Sequence, residues 1–252
     1  MKKILVLCAA MALVASTAFA VGIDLTAVAC GNNPGFTNDA GAIDCANGGS
    51  VTLLAVFQPA EAYNDVANGF VLTGIDGIID MAVAGTLSTG GSAAFWDWDQ
   101  VDGCNPGAFS ANRKAPTTGC TGYTNTFNVA NSGEGAAAGR RLSNTQKIAF
   151  GCFRPAGTPL STTANQKLFG AQFLIDGSTS LESGLGTCGG CPLSAGIVWN
   201  ECTPGVLNGA PTTKLNGPSL ASNCTGVNNG VSLCGFVPTK KHTWGQLKSL
   251  YR

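Results

Sequence analysis

Apolar and polar residues alternate most clearly over residues 75–87. Ile75, Ile79, Met81, Val83 and Leu87 take odd positions, with Gly77 and Gly85 among them, while Asp76, Asp80 and Thr86 take even ones. A period of two marks a strand with one face in a core. Ile78, Ala82 and Ala84 share the even face, so it is only partly polar, and the strand suits the middle of an antiparallel sheet. Residues 88–92 (STGGS) supply turn chemistry. Residues 94–98 (AFWDW) then read as a return strand, with Trp96 and Trp98 on one face and Phe95, Asp97 and Asp99 on the other.

The same reading places strands at 22–29, 50–57, 124–130, 142–153, 166–176, 195–200, 212–215 and 230–237. Residues 59–73 suggest a helical turn, because Pro59 suits a first-turn position. Residues 31–49, 103–124, 131–139, 177–193 and 203–229 read mostly as turn and loop, rich in Gly, Asn, Ser and Pro. Many short strands without a long helix predict an all-β fold: an antiparallel β-sandwich, Ig-like or jelly-roll-like, with two sheets sharing one core.

The first twenty residues have a different character. Lys2 and Lys3 precede an apolar run over 4–15, and Ala18-Phe19-Ala20 follows. This is the three-part form of a secretory signal peptide, with cleavage expected after Ala20. The run is shorter than the ~20 apolar residues of a spanning helix, so no transmembrane segment is expected once the leader is removed. Residues 21–238 are then the sandwich domain and 239–252 a separate tail. Without the leader the chain carries a formal charge of −2. A nearly neutral surface argues against a nucleic-acid partner, which needs clustered Lys and Arg.

Cys8 falls in the leader, so ten cysteines remain: Cys30, Cys45, Cys104, Cys120, Cys152, Cys188, Cys191, Cys202, Cys224 and Cys234. An even count in an exported chain predicts a disulfide framework and a secreted, periplasmic or cell-surface location. Sequence alone does not fix the connectivity. Proximity suggests Cys30–Cys45, Cys104–Cys120 and Cys224–Cys234, with Cys188-Gly-Gly-Cys191 closing on itself and Cys152–Cys202 left over. The CGGC spacing also occurs in thiol oxidoreductases, but those place it at a helix start within a βαβ unit. Here it lies in glycine-rich loop, and a structural role is expected.

Two candidate ligand sites lie close together. Asp97, Asp99 and Asp102 precede Gly103 in a D-x-D-x-x-D-G run. Clustered carboxylates can wrap Ca²⁺, which takes several oxygen ligands at flexible geometry. The alternative is a polar turn. Ca²⁺ is the one cofactor candidate. Trp96 and Trp98, on one strand face, form the kind of paired aromatic surface that stacks on sugar rings. The alternative is that both indoles fill the core. Catalysis has little support. The single histidine, His242, lies in the tail, and no H-E-x-x-H, G-x-S-x-G or phosphate-cradling loop is present.

Over residues 50–176 the order of strands resembles the cohesin-like and carbohydrate-binding-module class of secreted bacterial β-sandwiches, which implies an extracellular binding module and transfers no individual site residue. In the tail, Lys240, Lys241, Lys248 and Arg252 occur without an acidic residue among them, and Trp244, Leu247 and Tyr251 recur at helical spacing. The segment T-W-G-Q-L-K-S-L-Y-R is similar to the end of uncharacterised exported bacterial proteins that close on T-W-G-x-hydrophobic-K-x-x-Y-R. That resemblance implies a tail independent of the domain, with Trp244, Leu247, Lys248, Tyr251 and Arg252 as sorting or docking residues. The reading is therefore a non-enzymatic binding or structural module of the envelope or extracellular space. The alternative is a carbohydrate-binding or calcium-dependent adhesion module centred on residues 96–102, with a glycan or an envelope protein as partner.

Overall fold

A computed structural model describes residues 22–27, 30, 39–114, 120–184, 186–216 and 224–236. The expected leader, 1–20, and the expected tail, 239–252, lie outside the described residues. Five strands come first: β1 (Gly22–Thr26), β2 (Asp39–Gly41), β3 (Val51–Gln58), β4 (Asn64–Asp65) and β5 (Phe70–Val83). After a long connection come β6 (Phe109–Asn112), β7 (Thr124–Asn125), β8 (Gly133–Leu142), β9 (Thr145–Phe153) and β10 (Leu168–Ile175). The last are β11 (Ala195–Val206), β12 (Leu215–Asn216) and β13 (Cys224–Val227).

The strands form two sheets. One runs β1-β3-β10-β6, with β7 also on β10. The other runs β2-β13-β11-β5-β9-β8, with β12 on β11 and β4 on β5. Among the described residues every long pairing is antiparallel, and only the short β7–β10 and β2–β13 strand pairs are parallel. Leu53, Ala55 and Phe57 from the first sheet meet Ile75, Ile79, Met81 and Trp199 from the second in one core. The chain thus forms the all-β antiparallel sandwich that its alternation predicts.

The long strand behaves as its pattern demands. Ile75, Ile79, Met81 and Val83 are buried in the shared core, and Leu87 joins them from beyond the strand end. Gly77 leaves room for Phe150, whose ring from β9 lies where a β-carbon would stand. β3 is apolar on both faces because both are covered. Leu54 and Val56 point away from the core and are buried with Phe169 beneath the Cys30–Cys120 staple. The sheets also meet at one corner, where the Thr225 hydroxyl of β13 donates to the Leu25 carbonyl of β1.

Several elements differ from expectation. Residues 94–96 are a 3-10 turn (Ala94–Trp96), not part of a return strand. Residues 131–139, read as loop, lie largely in β8. Its Gly and Ala hide the alternation, although Ala136 and Ala138 pack on the core. The expected strand at 230–237 is a 3-10 turn (Gly230–Phe236), from which Cys234 packs on Ala82, Val198 and Cys224. The final strand among the described residues is β13. Residues 59–73 hold β4 and the start of β5 rather than a helical turn, and β6 emerges from a stretch read as loop. Among the described residues no helix is long and apolar enough to cross a membrane.

Candidate functional site

The candidate site is one end of the sandwich, where the loops before β3, after β5, after β10 and after β13 converge on Cys188-Gly-Gly-Cys191. The two cysteines of this run do not bond each other. Cys188 bonds Cys104 and Cys191 bonds Cys45, both with Cα atoms 5.9 Å apart. The glycines between them are working positions. Phe95 N–H donates to the Gly189 carbonyl at 2.8 Å, and Trp96 Nε1 donates to the Gly190 carbonyl at 3.1 Å. Gly190 has φ +87°, and a β-carbon there would strike the Ser92 backbone. Gly190 N–H donates to Glu182 Oε1 at 2.9 Å, and the Ser180 hydroxyl donates to the other oxygen. Partial burial would raise the Glu182 pKa, but these hydrogen bonds outweigh it and hold the carboxyl below its ordinary range.

Trp96 and Trp98 point inward and are fully buried. Their rings lie 5.8 Å apart. Trp98 stacks on Phe109 at 4.9 Å, Phe109 on Phe173 at 5.2 Å, and Phe173 meets Phe150 edge-on at 4.7 Å. Phe150 then meets Trp199 at 5.6 Å. This aromatic chain crosses the core from the cysteine junction to β11. The paired sugar platform is therefore corrected: both indoles are core, because the 3-10 turn folds them under instead of presenting them on a strand face.

The aspartates do not gather. Asp97 is buried, Asp99 half-buried and Asp102 exposed. Asp99 Oδ1 accepts from Val101 N–H at 2.9 Å, which makes a side-chain-capped turn. Gly103 fits because a β-carbon there would approach the Asp97 and Asp99 carbonyls within 2.6 Å. Among the described residues no three His, Cys, Asp or Glu side chains form a group able to hold a metal. The segment does serve the fold: Asp99 bridges Ala138, and Gln100 N–H donates to the Ala138 carbonyl at 3.4 Å, so it covers the open edge of β8.

A cleft of about 400 Å³ opens beside the Cys45–Cys191 bridge, between Ala40, Ile43, Pro192 and Asn228. Asn228 ties its walls together. Its Nδ2 donates to the Cys191 carbonyl at 2.7 Å, and its Oδ1 accepts from Ile43 N–H at 3.0 Å. Among the described residues its lining includes no ionisable side chain.

The cysteine pairing departs most from expectation. Cys224–Cys234 forms as expected. Cys30 bonds Cys120 rather than Cys45, Cys45 bonds Cys191, and Cys104 bonds Cys188 rather than Cys120. Proximity along the chain fails because the sheets bring together loops 84 to 146 residues apart. Cys152 and Cys202 are free and buried. They flank β5 on opposite sides, Cys152 level with Ile75 and Cys202 level with Gly77. Two strand spacings separate them by about 9.5 Å, beyond the ~7 Å limit for a bridge. Burial pushes the Cys152 thiol up to about 12, helped by nearby Glu134, and burial raises Cys202 well above its ordinary value.

Sequence reasoning also missed Asp80. It is 2% exposed, although it points away from the shared core. Asn200 Nδ2 donates to its carboxylate, and Arg141 stands 3.5 Å away. Burial raises its pKa against the opposing pull of Asn200, Arg141 and Lys147. The signal was an aspartate between two apolar neighbours, Ile79 and Met81, on an otherwise half-apolar face. The tail residues Trp244, Leu247, Lys248, Tyr251 and Arg252, with His242, lie outside the described residues.

No protein-family model, curated protein or solved structure matches the chain.

Proposed function

We propose that this chain is an exported β-sandwich that serves as a non-catalytic binding or structural module of the bacterial envelope or extracellular space. Residues 1–20 act as its export leader and residues 239–252 as a docking or sorting segment. The observation that carries the reading is the set of disulfides joining residues 84, 90 and 146 positions apart. Bridges of this kind form and persist in oxidising compartments, not in a reducing cytosol. The basic, aromatic tail, with no acidic residue, supplies a segment suited to an anionic or envelope partner. No observation favours a second reading: the indoles that would hold a sugar are core, and the carboxylates that would hold calcium stand apart.

Expression of the full chain in a bacterial host, followed by fractionation and N-terminal sequencing, tests this. The expected product begins at Val21, sits outside the cytoplasm and carries four bridges. A variant lacking 239–252 should fold equally well but be lost from the envelope fraction. An unprocessed, reduced, cytoplasmic product would overturn the export reading. Unchanged retention of the truncated chain would overturn the role given to the tail.

A further inference from the structure

We propose that Cys152 and Cys202 are the thiols with which this chain sorts its own disulfides, and that folding then seals them in the core. Four bridges use eight of the ten cysteines beyond the leader and leave these two. The native pairing is hard to reach directly. The Cys30–Cys120 span overlaps both Cys45–Cys191 and Cys104–Cys188, and each partnership passes over a nearer cysteine. Chain statistics favour closing the ~15-residue loops of Cys30–Cys45 and Cys104–Cys120 over the native loops by about tenfold. Cys188 and Cys191, three positions apart, must also avoid each other.

Local bridges formed early must therefore be exchanged. A thiolate attacks one sulfur of a mispaired bridge, a new S–S bond forms, and the other sulfur leaves as a thiolate. Bridges and thiols are conserved, so no oxidant or reductant is consumed. A chain with ten cysteines and four bridges always retains two thiols to carry this out. The native arrangement ends it. Cys152 is 1% and Cys202 0% exposed, both on the core face, and each stands across β5 from the other. Burial also keeps both protonated near neutral pH. The inference rests on the four bridges and on neither the leader nor the tail.

The test uses residues 21–252, reduced, allowed to form four random bridges in guanidinium, and then diluted to native conditions at pH 8 without added thiol. Non-reduced peptide mapping follows the bridges. The wild type is expected to reach the native set. Cys152→Ala/Cys202→Ala is expected to stay mixed and to be rescued by reduced glutathione. In the wild type the rate should be independent of protein concentration and rise about tenfold from pH 6.5 to 7.5, with the thiolate fraction. Once native, the protein should resist maleimide until denatured. Sorting by the double variant at the wild-type rate, a wild-type rate that scales with protein concentration, or ready labelling of the native thiols would each overturn the proposal. Should the double variant fail even with glutathione, the wild-type concentration and pH dependence decide.

Discussion

Single side chains in this protein do most where they are hidden. Trp98 donates its indole N–H to the Phe95 carbonyl at 3.2 Å and stacks on Phe109. Trp98→Ala removes a fully buried ring and leaves a cavity, which costs about 3–5 kcal/mol; guanidinium unfolding should show that loss. Asp80 gives a pH signature. Its pKa is raised in the folded protein, chiefly by burial. The unfolded carboxyl therefore ionises first as pH rises. The stability tied to the protonated form is complete below the unfolded value near 3.8 and is lost as pH climbs through the folded value. Asp80→Asn keeps an acceptor for Asn200 and removes the buried charge. It should match the wild type near pH 3 and exceed it at pH 7 by about 1 kcal/mol. A variant less stable than wild type at pH 7 would mean that the Arg141 contact outweighs desolvation.

Between elements, the decisive part is the Cys188–Cys191 loop, which holds two distant loops at once. Bridges closing longer loops remove more entropy from the unfolded chain, about 3 kcal/mol for 15 residues and nearer 5 for 100. Cys104→Ala/Cys188→Ala and Cys45→Ala/Cys191→Ala should each cost about 4–5 kcal/mol, and Cys224→Ala/Cys234→Ala, with its separation of 10, less than 3. Equal losses from all three would show that local strain, not loop length, governs these staples. The scattered carboxylates of Asp97, Asp99 and Asp102 give a further expectation: millimolar calcium leaves the melting temperature unmoved. The alternation of β5 was legible because one face is core along its length. The 3-10 turn at 94–96 was not, since AFWDW alternates equally well when it folds under the core. Edge strand β8 was hidden by its Gly and Ala, since small Ala136 and Ala138 pack on the core and the Phe153 ring of β9 fills the space at Gly133. Cysteine partners were illegible for another reason: pairing depends on which loops the sheets bring together.

For the whole molecule the question is whether two sheets with a shared core stand without their staples. Charged residues make up only 11% of the chain and glycines number 35, so the unfolded state has much backbone freedom to lose. Three long bridges limit that freedom at about 4–5 kcal/mol each by loop entropy, against a typical net stability of about 5–15 kcal/mol for a folded domain. Their joint removal exceeds most of that range. The chain from residue 21, fully reduced by excess phosphine at neutral pH and 37 °C, should therefore unfold. Tryptophan emission is a direct reporter, since Trp96, Trp98 and Trp199 are all fully buried in the oxidised protein. Reduction should shift their emission to the red together with the loss of β dichroism, and both should return on reoxidation. If emission and dichroism hold in the fully reduced chain, the aromatic core from Trp96 to Trp199 is sufficient by itself, and the bridges serve endurance rather than the fold.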